Sequence, residues 1–319
     1  MRAAMLLSRR RFVAGAAVSL TGLALARRAV AQQGSAVTRR TRVVILASGG
    51  GPRPRKDRGA TAHAVVVDGV LYVVDCGNGV ARQLVQAGIA LPTLRHVFVT
   101  HHHSDHNADY GNLLWLAWAS GLRTRVDTWG PPPLEKMTRL FFEMNAYDID
   151  TRIADEGRPP LVPLIHVHEL TQDGLVMQDE RVKVTAALVD HPPVVPAFAF
   201  RFDGPERSIV FSGDTNKSDN LVRLARGADV LIHETLWVPA VDRLVARNPN
   251  ATTLKKHIID SHTAVEDVGR VAAAAGVKTL VLSHLVPADD PAITEEMWIG
   301  AARAHFKGDI VVARDGMEV

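Results

Sequence analysis

The stretch His101-His102-His103-Ser104-Asp105-His106 decides how the chain reads. It directly follows Val97-Phe98-Val99-Thr100, a short, β-branched and aromatic run that predicts a buried strand. Side chains two apart on an extended chain point the same way. His101 and His103 can therefore face one metal together. Asp105 and His106 follow where strand gives way to loop or helix, and can face a second. Neutral imidazoles and a carboxylate are ligands that zinc accepts. Two metals about 3.5–4 Å apart can hold a hydroxide between them and clamp the oxygens of a reacting centre. Taken alone, three consecutive histidines also fit a solvated tract that binds metal adventitiously.

Later residues weigh against that blander reading. His191 follows the apolar run Val182–Leu188, and Asp214 follows Ile209-Val210-Phe211. His233 follows Val230-Leu231-Ile232, and His284 follows Leu280-Val281-Leu282-Ser283. One such residue at a strand end is ordinary loop chemistry. Several, on strands that share one rim, form a site.

The pattern resembles the metallo-β-lactamase superfamily, and most of all its ribonuclease Z/arylsulfatase-type branch. The resemblance rests on H-x-H-x-D-H at 101–106, His191, Ser-Gly-Asp-Thr at 212–215, His262 in Asp-Ser-His-Thr, and Ser283-His284. It runs from about residue 43 to 318. It implies an α/β (α+β) fold, an αββα sandwich, with His101, His103 and His191 on one zinc. Asp105, His106 and His284 would hold the other, and Asp214 would bridge them. Manganese or iron can replace zinc on such a ligand set. His262 is implied to stabilise the transition state or protonate the leaving group, and Asp105 or Asp214 to take the nucleophile's proton. Asp75 and His233 are expected to orient ligands through hydrogen bonds. The related flavodiiron proteins carry glutamate where this chain has His103, which argues against a redox role.

The layout agrees with the sandwich. Thr41 to Ser48 reads as a strand running into Gly49-Gly50-Gly51-Pro52. Ala64–Val67 and Val70–Val74 read as a hairpin about Asp68-Gly69. A helix is predicted from Val80 to Ala87, and helices over 111–125 and 134–147. Arg152 to Pro163 reads as polar and irregular. In the second half, strands at Val182–Leu188, Ala197–Phe202, Ser208–Phe211, Val230–His233, Thr279–Ser283 and Ile310–Ala313 alternate with helices. Those helices lie near 220–226, 263–275 and 293–304. No linker divides residues 32–319, which read as one hydrolase domain.

The first 31 residues read differently. Ser8-Arg9-Arg10-Arg11-Phe12, an apolar run from Val13 to Ala26, and Ala29-Val30-Ala31 resemble a twin-arginine signal peptide cleaved after Ala31. The run is shorter and less apolar than a membrane span requires. A periplasmic or secreted protein is expected, with no stable span after cleavage. The full chain of 319 residues has 37 basic and 34 acidic residues, a formal charge of +3. Without the six arginines of residues 1–31 it falls to −3. Cys76 is the sole cysteine, so no intrachain disulfide forms.

From these residues the expected reaction is hydrolysis of a small ester by a metal-bridging hydroxide. Aryl sulfate, phosphodiester and lactone are the candidate substrates. Trp115, Trp118, Trp129, Phe141, Phe142, Met144 and Tyr147 are expected to form an apolar cap over the metals. Nucleic acid is disfavoured as partner. The net charge is negative, and only 22 residues separate His191 from Asp214, where ribonuclease Z carries a long RNA-gripping arm. A ribonuclease Z-like endonuclease or phosphodiesterase, and a catalytically silent metal-binding module, are the alternatives. A homodimer is expected by analogy with relatives.

Overall fold

Val43, Val44, Ile45 and Leu46 lie in succession on strand β1 (Thr41–Ala47), and all are buried. Alternation sends Val43 and Ile45 to one side and Val44 and Leu46 to the other. A strand apolar on both faces needs cover on both, and that requirement sets the layers. The computed structural model describes residues 41–319. The export signal expected over residues 1–31 lies outside them.

Two seven-stranded sheets pack face to face. The first contains β1, β2 (Ala62–Val67), β3 (Val70–Val74), β4 (Leu94–Phe98), β5 (Val126–Gly130), β6 (Ile165–Glu169) and, at its edge beside β1, β14 (Met317–Glu318). Strands β1 to β3 are antiparallel, and β3 to β6 run parallel. The second sheet runs in the order β13 (Asp309–Val312), β12 (Thr279–Val286), β11 (Val230–Leu236), β10 (Ser208–Phe211), β9 (Phe198–Asp203), β8 (Lys183–Leu188), β7 (Gly174–Gln178). Its β10 to β13 are parallel and the rest antiparallel.

Between the sheets, Phe98 meets Phe200 at 5.5 Å and Phe202 at 5.1 Å, edge to face. Such pairs add roughly 0.5–1.5 kcal/mol to their burial. Helices cover the outer faces. On the first sheet lie α1 (Val80–Gln86), α3 (Tyr110–Ala119), α4 (Leu134–Met144) and α5 (Ala146–Glu156), with Leu84, Leu113 and Trp118 packed against the strands. On the second lie α6 (Asp219–Leu224), α9 (Val265–Ala275) and α10 (Glu295–Arg303). The αββα sandwich is therefore the observed architecture. Among the described residues no helix is long and apolar enough to cross a membrane.

Some local expectations need correction. The helix predicted at 134–147 breaks at Asn145, and α5 continues through residues 152–156, which were expected to be irregular. Only Ile149 of α5 is fully buried, so its apolar face is too narrow to stand out. Strands β5, β6 and β7 and the helices α7 (Val241–Ala246) and α8 (Leu254–Ser261) were not anticipated. Helix α2 (Ser104–Asn107) is a single turn inside the histidine motif.

Candidate metal centre

The parallel strands β4, β10, β11 and β12 end at one rim, and the loop after β8 reaches the same place. His101 and His103 lie just past β4, His103 on extended backbone, and α2 then turns Asp105 and His106 inward. His102 points away, with Nε2 2.7 Å from the Pro131 carbonyl and Nδ1 3.0 Å from Asn107 Nδ2.

His284 reaches the centre by a backbone irregularity. Glu234 pairs with Ser283 and Thr235 with Leu285, so His284 is an extra residue bulged from the β11–β12 ladder. Its φ is +42°, left-handed for a non-glycine residue. Bulges beside active sites re-aim a side chain in this way. Asp75 is also left-handed, at φ +61°. Its carboxylate accepts from Thr100 N at 2.8 Å and holds His106 Nδ1 at 2.8 Å.

Beside a smaller trio of Glu234, His262 and His284, two groups of four donor atoms result, each closing within 4.8 Å: His101, His103, His191 and Asp214, and Asp105, His106, Asp214 and His284. Asp214 belongs to both. Hydrogen bonding shows that the first group fits a cation. His101 Nδ1 lies 3.1 Å from Thr100 Oγ1, and His191 Nδ1 donates to the Ser261 carbonyl at 2.9 Å. Thr100 Oγ1 spends its own proton on Asp75 at 2.9 Å, so His101 Nδ1 is the donor there. Both rings therefore turn bare Nε2 atoms inward, each 3.1 Å from His103 Nδ1. Zinc–nitrogen bonds of about 2.0–2.1 Å in a tetrahedron place nitrogens roughly 3.3 Å apart. In the second group His284 Nε2 lies 3.2 Å from both Asp105 Oδ2 and Asp214 Oδ2, and His106 Nε2 lies 3.3 Å from Asp214 Oδ2. Among the described residues, His106 Nε2 and Asp214 Oδ1 are buried without a hydrogen-bond partner.

The charge states follow from the packing. Burial lowers His101 well below the ordinary range, and burial with His191 brings His103 down to about 4. Burial alone would lower His106 too, but Asp214, Asp75 and Asp105 hold it well above its usual value. Burial would raise Asp214, yet His106 and His284 hold it well below the carboxylate range. His262 lies against this group, its ring stacked on His284 at 5.6 Å, with Nδ1 3.4 Å from Glu234 Oε2 and 3.9 Å from Asp214 Oδ2. Burial opposes its charge, but Glu234 and then Asp214 push it up to about 9.

The segment His233-Glu234-Thr235 acts through its acid. On β11, Val230 and Ile232 face the other sheet and Leu231 faces the helices. Alternation puts Glu234 on the inner side and His233 on the outer. His233 Nδ1 bonds the Glu234 carbonyl at 2.6 Å, and among the described residues its Nε2 has no partner, so it orients none of the side chains that face the centre. Phase along the strand was the signal that could have selected Glu234.

A cavity of about 370 Å³ opens over the centre. The expected aromatic cap is not its wall. Trp118 is core, Trp115 packs on Phe141, Trp129 stacks on His168, and Met144 and Tyr147 are exposed. Leu244, Ala251, Leu254, Ile258 and Val286 form the apolar side instead, while Arg53 and Arg55 line the other edge. His257 also lines it.

Comparison with known proteins agrees with this geometry. A profile described as the Beta-lactamase superfamily domain matches residues 71–285. A protein named Ribonuclease Z from Mycobacterium bovis (strain BCG / Pasteur 1173P2) is 33% identical over 275 residues, covering 85% of this chain and 95% of the relative. Another so named, from Mycolicibacterium gilvum, is 30% identical over 275 residues, 85% of this chain and 93% of its own. Human tRNase Z, short form, has a similar fold, with TM-score 0.64 at 22% identity over 87% of this chain and 98% of its own.

These relatives correct one expectation. A small-molecule ester as partner, with nucleic acid disfavoured, gives way before homologues named as ribonucleases. The negative net charge misled because it sums the whole surface, whereas phosphate contact is local.

Proposed function

This chain belongs to the β-lactamase superfamily of metal-dependent hydrolases, and from that premise we propose that it is a phosphodiesterase acting on nucleic acid, RNA in particular. One observation carries the reading: two donor groups share Asp214 at the floor of a cavity edged by Arg53 and Arg55. Cations of that kind recognise phosphate, and guanidinium does so with directed hydrogen bonds. We assign zinc as the metal, with manganese or iron as substitutes. Bound divalent ions supply Lewis acidity and a water of lowered pKa.

The protein's own groups do the rest. His101, His103 and His191 would hold one ion and Asp105, His106 and His284 the other, with Asp214 available to both. Asp105 is itself held by the Gly51 amide at 2.7 Å. Asp105 or Asp214 takes the proton of the attacking water. His262, held by Glu234, donates to the leaving oxygen. Residues 1–31 we read as an export leader on a domain of residues 32–319, which N-terminal sequencing of exported protein tests.

The reaction test is cleavage of a labelled single-stranded RNA by purified protein at rising salt. We expect cleavage whose rate falls steeply with salt, as phosphate contacts are screened. A metal-loaded protein that leaves RNA and DNA intact contradicts the proposal.

A further inference from the structure

Two cavities meet at His103 and His257. One is the 370 Å³ space over the centre. The other, of about 570 Å³, passes Pro192, Pro193, Thr253 and Lys256. His257 projects from α8 into this seam, its ring 5.6 Å from that of His103, 6.0 Å from His191 and 6.1 Å from His262.

A neighbour decides which nitrogen of His257 carries the proton. Ser261 Oγ lies 2.5 Å from the Pro192 carbonyl oxygen. A carbonyl has no hydrogen, so the hydroxyl proton occupies that contact. Ser261 Oγ also lies 3.3 Å from His257 Nδ1, and there the imidazole must donate. The neutral ring then keeps Nε2 bare. Among the described residues that nitrogen has no hydrogen-bond partner, and the ring lines both cavities.

A bare lone pair beside a phosphate site is unusual. It repels phosphate oxygens, which are themselves acceptors. It suits a neutral hydroxyl. In a polynucleotide the hydroxyl beside the backbone phosphate is the ribose 2′-OH, which DNA lacks.

We propose that His257 Nε2 accepts a hydrogen bond from the 2′-hydroxyl of the nucleotide next to the scissile phosphate, and so selects ribonucleotide over deoxyribonucleotide. The inference rests on the nucleic-acid reading above and narrows it to RNA at one position. Two nucleotide positions, one in each cavity, would flank the bond, with His257 at the seam.

The test uses two oligoribonucleotides that differ by a single 2′-deoxy substitution on the 5′ side of the cleaved bond. Wild-type protein should favour the all-ribo strand in kcat/KM by on the order of ten-fold, the worth of one hydrogen bond. His257→Ala should bring that ratio near one, with metal content and melting temperature retained. A ratio that is the same in wild type and variant, or a wild type indifferent to the 2′-hydroxyl, overturns the inference and leaves the phosphodiesterase reading standing. Failure of wild type to cut either strand overturns both.

Discussion

Glu234 Oε2 lies 3.4 Å from His262 Nδ1, while Oε1 of the same carboxylate accepts from Thr263 N at 2.9 Å and Thr215 N at 3.3 Å. The acid is thus fixed by two backbone amides before it meets the histidine. Glu234→Gln keeps the shape and removes the charge. RNA cleavage should fall roughly 10–100-fold, the usual cost of losing an orienting partner. His262→Ala should cost about 10²–10⁴, the range for a positioned proton donor. Because the two act as a unit, the double variant should be little worse than His262→Ala alone, which single-turnover kinetics would read.

Gly50 has no room for a side chain. A Cβ there would lie 2.7 Å from His284 Nδ1 and 2.6 Å from Val286 Cγ2. Gly50→Ala should push His284 out of the second donor group. Metal analysis should find the bound metal falling from two equivalents toward one. Overpacking should also lower stability by about 1–3 kcal/mol in denaturant titration.

Chelation should destabilise the whole fold. The bare Nε2 atoms of His101 and His191, each 3.1 Å from His103 Nδ1, crowd one space with the carboxylate of Asp214, an arrangement that bound metal would stabilise. A ligand at about a thousand times its Kd stabilises by roughly 4 kcal/mol. The melting temperature should drop on chelation and recover when zinc or manganese is restored.

Far from the centre, Asp179 ties β7 to β8. It accepts from Arg181 N at 2.7 Å, Val182 N at 2.8 Å and the Tyr72 hydroxyl at 2.5 Å. Burial works to raise its pKa, but the Tyr72 bond and the two amides bring it below the ordinary value. A depressed carboxylate stabilises the fold above its unfolded pKa of about 3.9, and that contribution fades as pH falls through the folded value. The stability gap between wild type and Asp179→Asn should therefore be widest near neutrality and close below about pH 4.

The donor residues that the structure brings together were legible because their signals are local. The spacing of His101, His103, Asp105 and His106 is short, and His191, Asp214 and His284 each follow an apolar strand. The sandwich was legible for the same reason, since strands such as β1 are apolar on both faces. What stayed hidden depends on the third dimension. Choosing Glu234 over His233 required the phase of β11. The apolar wall required knowing that residues 238–261, between β11 and α9, fold back over the rim. The aromatic residues of α3 to α5 were read as a cap, but Trp118 and Phe142 are buried on the far side of the first sheet. Net charge misjudged the partner because it sums the whole surface, while the residues that line the cavity, Arg53 and Arg55 among them, are a local set.

The most direct test is RNA cleavage by wild-type protein and by Asp214→Ala, with metal content measured on both. Wild type with two bound metals should cut the strand, a chelator should stop it and divalent metal should restore it. Asp214→Ala should remain folded, lose metal and cut nothing. Cleavage that survives either the chelator or the loss of Asp214 would contradict metal-dependent cleavage at this centre.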